Sequence, residues 1–203
     1  MKDFGLYMII TSPIASPCEI ARVAVSRGVK YLQLREKNLS DRELLSLARE
    51  LRALTLGTQT KFIVNDRVDI AYLSAADGVH LGQADVNIED ARALLGKDKI
   101  VGLSTHSLAQ AREAIAKRPD YIGFGPVYKT PTKAVPDAVV GCELLRQVID
   151  FASVPVVAIG GITLENLPCV LASGAKNVCA VRPFMQTKDV EAEVDKFIEA
   201  LKG

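Results

Sequence analysis

The feature that most restricts how this chain folds is a rhythm: a short apolar run, a polar break, a segment of helical spacing, and then the same again. Leu6–Thr11 is the first run, closed by Ser12-Pro13. Pro17–Arg27 then carries Ile20, Ala21, Val23 and Ala24 on one helical face, with Ser16 placed to cap it and Gly28 to end it. Val29–Leu34 leads through Asn38-Leu39-Ser40 into an amphipathic helix at Asp41–Leu54. Phe62–Val64, Gly78–Leu81, Ile100–Leu103, Tyr121–Phe124, Pro155–Ile159 and Asn177–Val181 continue the strands. Val68–Ser74, Ile88–Leu95, Leu108–Lys117, Cys142–Ala152, Leu164–Ser173 and Val190–Leu201 supply the helices. The strand runs are continuously apolar rather than alternating, the pattern of strands covered on both faces. The alternation predicts the α/β class, with one (β/α)8 TIM barrel over residues 1–203 as a single domain. A doubly wound open sheet competes, but it seldom takes so many regular units in 203 residues.

Composition narrows the partners. Hydrophobic residues make up 49% and the mean hydropathy is +0.18, which fits a compact fold and argues against disorder. Lys and Arg number 25 against 24 Asp and Glu, a net charge of +1. That balance gives no reason to expect nucleic acid or a membrane surface as partner, so any bound anion must be held by a local cluster. Cys18, Cys142, Cys169 and Cys179 lie far apart and form no C-x-x-C pair, and the two histidines have no ligand-like spacing. Zinc is therefore not expected, and free, mostly buried thiols in a reducing compartment are. The N-terminal apolar run is too short for a signal peptide and no later run is long enough to cross a bilayer, so a cytoplasmic location is expected. The oligomeric state is left open, with a homo-oligomer among the expected forms.

A parallel barrel carries its site at the C-terminal ends of its strands. The residues just past each strand here are unusually polar: Gln33, Leu34, Arg35, Glu36 and Lys37, then Asn65 and Asp66, then Asp85, then Ser104 to Ser107. They continue with Thr130, Pro131, Thr132 and Lys133, then Gly160 and Gly161, then Val181 and Arg182. Gln33, Arg35 and Lys37 alternate, so on an extended strand they face one side and form a clamp for a polyanion, Arg35 gripping two oxygens at once. Asp66 and Asp85 end neighbouring strands, where two carboxylates repel unless a proton or cation lies between them. Beside a cationic cluster the natural ion is Mg²⁺. A helix cap for Asp66 and an ordinary loop acid for Asp85 weigh equally.

Other residues carry less. Ser104 and His106 do not make a hydrolytic pair, since no orienting acid is in evidence; Ser107 reads as a helix cap and Ser104 as a hydrogen-bond donor to ligand. His80 lies inside a strand and reads as a satisfied core histidine. The stretch Y-I-G-F-G-P-V-Y-K-T-P-T-K at Tyr121–Lys133 opens a buried strand into a hydroxyl-rich basic loop, suited to a phosphorylated ligand. Gly160-Gly161 with Val181-Arg182 matches the place where many barrels hold a phosphate on backbone N–H groups. Two anion sites suggest two phosphorylated substrates.

At this point the chain resembles a family, the thiamine-phosphate synthases (thiamine-phosphate pyrophosphorylases). The segments that carry the resemblance are Q-L-R-E-K at Gln33–Lys37, V-N-D-R at Val64–Arg67, G-V-H-L-G-Q-A-D at Gly78–Asp85 and G-L-S-T-H-S at Gly102–Ser107. G-P-V-Y-K-T-P-T-K at Gly125–Lys133 and A-I-G-G-I at Ala158–Ile162 complete them, in the family's order. The resemblance implies a cytoplasmic transferase of thiamine biosynthesis whose barrel is the catalytic domain. It joins hydroxymethylpyrimidine diphosphate to a thiazole phosphate, giving thiamine phosphate and pyrophosphate. It further implies that Gln33, Leu34, Arg35, Glu36, Lys37, Asn65, Ser104 and Lys133 contact the pyrimidine diphosphate, with Arg35, Lys37, Ser104 and Lys133 catalytic. Asp66 and Asp85 would hold Mg²⁺, and Thr130, Pro131, Thr132, Gly161, Val181 and Arg182 would receive the thiazole phosphate. Tyr121–Lys133 then bridges the two substrates. Arg182-Pro183-Phe184 departs from the family's usual small Ser-Ala turn.

Three other readings share parts of this pattern. A thiazole tautomerase-like barrel keeps the thiazole phosphate site but generally lacks the T-P-T-K lysine and part of the clamp. A non-catalytic phosphate-ligand-binding barrel needs no paired aspartates. An unrelated phosphate-binding isomerase should poise a carboxylate or lysine base over a sugar.

Overall fold

The computed structural model describes residues 3–131 and 137–202. Its strands are β1 (Gly5–Ile10), β2 (Tyr31–Leu34), β3 (Lys61–Asn65), β4 (Gly78–Leu81), β5 (Ile100–Thr105), β6 (Tyr121–Phe124), β7 (Val156–Ile159) and β8 (Asn177–Ala180). They pair in parallel in chain order and β8 closes onto β1, giving the expected α/β barrel. Around it lie α1 (Pro17–Ser26), α2 (Asp41–Thr55), α3 (Val68–Leu73), α4 (Ile88–Leu95), α5 (Leu108–Ala116), α6 (Gly141–Phe151), α7 (Leu167–Ala172), α8 (Arg182–Met185) and α9 (Val190–Ala200). Among the described residues no helix is long and apolar enough to cross a membrane.

Strand register divides each run into two faces. Leu6, Met8 and Ile10 of β1, with Leu32 and Leu34 of β2 and their counterparts around the barrel, turn outward and pack beneath the helices. Each such side chain, once buried, contributes about 1.5–3 kcal/mol of hydrophobic stabilisation. The other set, Tyr7, Ile9, Tyr121, Val157 and Cys179, fills the barrel interior. Gly102 pairs with Tyr121 across β5 and β6, and a Cβ on Gly102 would occupy the space of the Tyr121 ring. A glycine in the wall is thus what admits a large aromatic to the lumen.

At the opposite end of the barrel from the strands' C-termini, one strand's leading amide is closed by a side chain preceding or beginning another. Asp77 Oδ2 accepts from Phe62 N–H (2.9 Å), Asp120 Oδ2 from Val101 N–H (2.8 Å) and Asn177 Oδ1 from Phe4 N–H (2.8 Å). Arg52 and Arg92 back the two aspartates at 2.8 and 2.9 Å. Peptide N–H groups that would otherwise be left unpaired at the rim are satisfied there.

Local signals decide most boundaries. Ser40 and Glu43 form a reciprocal capping box at the start of α2, and Ser107 caps α5 through Gln110 N–H. Ser16 occupies the cap position of α1 but makes no side-chain bond there; Pro17, which needs no amide partner, opens the helix instead. β5 runs past Leu103 to Thr105, because Ser104 and Thr105 still pair with Gly123 and Phe124. α7 begins at Leu167 rather than Leu164, since Asn166 ties back to Thr163 N–H and Gly161 O and holds a turn there. The short α8 has no counterpart in the periodicity. It forms where Phe184 and Met185 bury themselves, Phe184 edge-on to Phe197 of α9. Nor are the thiols mostly buried: Cys179 is, but Cys18 and Cys142 are half-buried and Cys169 is exposed.

Candidate active site

The strands open at their C-terminal ends into a cavity of about 840 Å³, lined from several strands and their following loops. Gln33, Arg35, Ser104, Thr130, Pro131, Gly161, Val181 and Arg182 all face it, so residues named from separate motifs converge on one space. A second cavity of about 180 Å³ adjoins, lined by Leu34, Arg35, Glu36, Lys37, Asn65, Asp66 and Arg67. Arg35 belongs to both.

A line of polar groups, buried at Gln33, Tyr7 and Tyr121 and half-buried at His80 and Ser104, crosses the lumen at the floor of the large cavity. Gln33 Nε2 donates to Tyr7 Oη (2.7 Å), and the Tyr7 and Tyr121 hydroxyls are 2.7 Å apart. Tyr121 Oη lies 3.0 Å from His80 Nδ1, and His80 Nε2 lies 2.8 Å from Ser104 Oγ. With the Gln33 amide nitrogen turned to Tyr7, the order Gln33 to Tyr7 to Tyr121 to His80 to Ser104 gives each hydroxyl and ring proton an acceptor. It leaves the Ser104 O–H to donate into the cavity. Burial pushes both phenols well up from their ordinary range, so both keep their protons at neutral pH. His80 is the satisfied histidine expected from sequence, and it also orients Ser104.

The small cavity is acidic and basic at once. Arg35 N–H still completes the ladder to Ile10 O (2.9 Å), but β2 ends at Leu34 and the strand does not reach Lys37, so the alternation of Gln33, Arg35 and Lys37 is lost. The three therefore do not share one face: Gln33 lines the large cavity, Lys37 lines the small one and bonds Asp66 at 2.9 Å, and Arg35 lines both. Leu34 is turned to the helix layer and 1% exposed. Glu36 Oε1 accepts from Ser12 N–H at 2.5 Å, a strut between the first two loops, and burial raises its carboxyl. Arg67 is occupied by Asp41 and Asp69, each at 2.6 Å.

Asp66 follows β3 with φ of 61°, a left-handed conformation that Asp tolerates better than most residues. Asp85 reaches back to accept from Gly82 N–H at 2.6 Å. Desolvation raises the Asp85 carboxyl above its ordinary value, opposed by the Gly82 bond; contact with Asp66 raises it further, and Lys37 pulls it down. The two carboxylates therefore meet and repel. Such a donor pair fits a hard divalent cation, with neighbouring oxygen ligands to complete it.

At the far side of the large cavity, β6 and β7 give the backbone its shape. Tyr128 N–H donates to Gly160 O (2.9 Å) and Val127 N–H to Ile159 O (2.9 Å), binding the two loops together. Gly160 and Gly161 have φ of 102° and 66°. A Cβ on Gly161 would lie 2.7 Å from Lys129 O and 2.8 Å from Tyr128 Cβ. Only glycine permits that approach. Across from them Val181 leads into α8, whose first residue Arg182 is exposed and donates through Nε to Gln186 Oε1 at 3.2 Å. Thr132 and Lys133 lie outside the described residues.

Sequence reading missed several groups at this mouth. Tyr7 and Thr11 lay in the first apolar run, and Gln186 and Thr187 beyond any motif; they line the large cavity with Tyr121 and Lys129 of the Tyr121–Lys133 stretch. His106, 2.6 Å from Gly125 O, lines it too, facing Asp137 at 3.6 Å.

Residues 6–184 match the family described as thiamine monophosphate synthase. The chain is 39% identical to the thiamine-phosphate synthase of Halalkalibacterium halodurans, over 100% of this chain and 97% of that protein. It is 40% identical to the one from Methanospirillum hungatei, over 98% of each. A further relative from Gloeobacter violaceus is 44% identical over 95% of this chain, which spans only 56% of that protein's length. Among solved structures, a thiamine phosphate pyrophosphorylase from Pyrococcus furiosus superposes with a TM-score of 0.88 at 35% identity, covering 98% of this chain and 96% of that one.

Proposed function

The chain belongs to the thiamine monophosphate synthase family, and from that premise we propose that its barrel is the catalytic unit of a transferase joining hydroxymethylpyrimidine diphosphate to a thiazole phosphate, with release of pyrophosphate. The observation that carries the assignment of substrates to the mouth is Arg35, which lines both cavities at once. A diphosphate gripped by its guanidinium reaches the Lys37–Asp66–Asp85 cluster on one side and presents its organic end to the large cavity on the other.

Asp66 and Asp85 would hold Mg²⁺, which when bound supplies positive charge to the diphosphate oxygens. Arg35 and Lys37 add fixed charge where negative charge grows as the carbon–oxygen bond to the diphosphate breaks. Ser104, aimed by His80, donates toward the pyrimidine, and Gln33 lies at the opposite end of the same hydrogen-bonded line. The electron-rich aminopyrimidine carries the resulting cation, so little acid–base help is needed. Thr130, Thr132 and the backbone of Gly161 and Val181-Arg182 anchor the thiazole phosphate, which brings the ring nitrogen in line to capture that cation. Lys133, with the diphosphate, completes the group of cations. Both substrates are small molecules, and no nucleic acid or membrane takes part.

Mixing the two substrates with Mg²⁺ and following pyrophosphate, with and without the thiazole phosphate, tests the reading. Release coupled to formation of thiamine phosphate is the expected result. Binding of either substrate without release under any condition would show a ligand-binding barrel instead.

A further inference from the structure

On the outer wall two thiols distant in sequence meet. Cys142 lies in the first turn of α6 and Cys169 in α7, with their sulfurs 3.1 Å apart. That is about 1 Å beyond a disulfide bond of about 2.05 Å. Tyr128 Oη lies 3.4 Å from Cys142 Sγ. Cys169 is exposed, while Cys142 is half-buried behind it.

We propose that Cys142 and Cys169 form an oxidisable dithiol, a site at which small-molecule disulfides exchange to leave an intramolecular disulfide between α6 and α7. Cys169 is the attacking thiol. Its neighbour Cys142 and then the Tyr128 hydroxyl stabilise its thiolate, whereas burial pushes Cys142, Cys18 and Cys179 up. The Cys169 thiolate attacks one sulfur of the small disulfide, forming a mixed disulfide and expelling a thiolate. Cys142 then attacks the Cys169 sulfur and expels the second thiolate, and the two cysteine protons pass to the leaving thiolates. The protein's two thiols are oxidised and one small disulfide is reduced to two thiols.

The site lies close to the phosphate end of the mouth. The segment that joins β6 to α6 carries Tyr128, whose Cβ crowds Gly161, and Val140 N–H just before α6 donates to Pro126 O at 2.9 Å. Bonding Cys142 to Cys169 removes the sulfur hydrogen bond of Tyr128 and pins the first turn of α6. The effect on catalysis rests on the proposed phosphate role of Gly161; the disulfide itself does not.

The test incubates the fully reduced protein with glutathione disulfide, then counts thiols after denaturation and maps the peptides. Expected are the loss of two of the chain's four thiols and one cross-linked peptide pairing Cys142 with Cys169. In Cys142→Ser the reaction should stop at a glutathione adduct on Cys169, and in Cys169→Ser neither product should form. No cross-link, or adducts spread equally over Cys18, overturns the site. Kinetics of oxidised and re-reduced protein then follow, with a severalfold rise in KM for the thiazole phosphate, reversed by dithiothreitol and absent in Cys169→Ser. Identical constants overturn the coupling to the mouth. A reduced protein with no turnover counts against the proposed function, while the peptide map still decides the disulfide.

Discussion

The Lys37 ammonium lies 2.9 Å from Asp66 Oδ2, so the lysine of the small cavity and one half of the acidic pair are in contact. Lys37 is more than half exposed, so solvent screens the pair and the contact by itself adds little stability. Asp85 beside it is the carboxyl raised above its ordinary value, by burial first and by its contact with Asp66. A divalent ion held by these carboxylates would compete with Lys37 for Asp66.

The first prediction is a thermal one. Mg²⁺ that binds the folded pair and not the unfolded chain stabilises it by RT ln(1 + c/Kd) at free-ion concentration c, so Tm rises with the logarithm of c above Kd. Wild-type protein should melt higher in millimolar Mg²⁺ than in chelator, and Asp66→Ala and Asp85→Ala should lose that increment and all Mg²⁺-dependent turnover while keeping the fold by circular dichroism. An undiminished Mg²⁺ shift in both variants would remove the pair from the metal site.

The second concerns pH. A carboxyl raised in the folded state favours folding while protonated, and that contribution is lost as pH rises through the raised value. At neutral pH without metal, the Asp66–Asp85 repulsion is therefore a liability. Asp85→Asn, measured in chelator at pH 7, should melt no lower than wild type, and the difference between them should close as the pH is taken down toward the ordinary carboxylate range. Mg²⁺ competes with the same proton, so its affinity in wild type should begin to fall at a pH where an ordinary aspartate is still ionised. A pH-independent Mg²⁺ affinity down through that range would contradict the raised carboxyl.

How much of this was legible beforehand follows from the range of each signal. The barrel was, because continuous apolar runs and helical spacing are local and repeat; the capping residue Ser107 was, for the same reason. Asp66 and Asp85 could be paired because neighbouring strands in a barrel end side by side. Lys37 was misplaced because alternation assumes an unbroken strand, and β2 stops at Leu34. Tyr7 was invisible as a site residue because a tyrosine within an apolar strand looks like core, and Tyr121 stood out only through the loop its strand opens into. Only the register across β1, β2, β5 and β6 reveals that their hydroxyls meet. Cys142 and Cys169 share the difficulty: no local pattern reports a contact between two helices.

The hydroxyl line makes the third prediction. Tyr121→Phe keeps the ring that fills the space over Gly102 but removes the oxygen joining Tyr7 to His80. Buried Tyr7 and half-buried His80 each lose one partner, and a lost hydrogen bond of this kind costs about 0.5–1.5 kcal/mol. Denaturant unfolding should show a loss of that order, and turnover should fall because His80 no longer holds Ser104. Ser104→Ala, at the open end of the line, should slow turnover with little effect on stability. If Tyr121→Phe proves as stable and as active as wild type, the line contributes neither order nor orientation.

The fourth prediction separates two glycines with similar backbones. Gly160 has φ of 102° and a Cβ there would collide with Pro126, while Gly57 has φ of 77° with nothing within 4 Å of an added Cβ. Gly57→Ala therefore carries only the backbone strain, about 1–3 kcal/mol. Gly160→Ala carries that strain and also must displace Pro126, which shifts the segment bearing Tyr128 and Thr130 against Gly161. Both variants should be less stable than wild type, but only Gly160→Ala should raise KM for the thiazole phosphate, by more than it raises KM for the pyrimidine diphosphate. Equal KM changes in the two variants would mean that lost stability, not the displaced loop, governs binding at this end of the mouth.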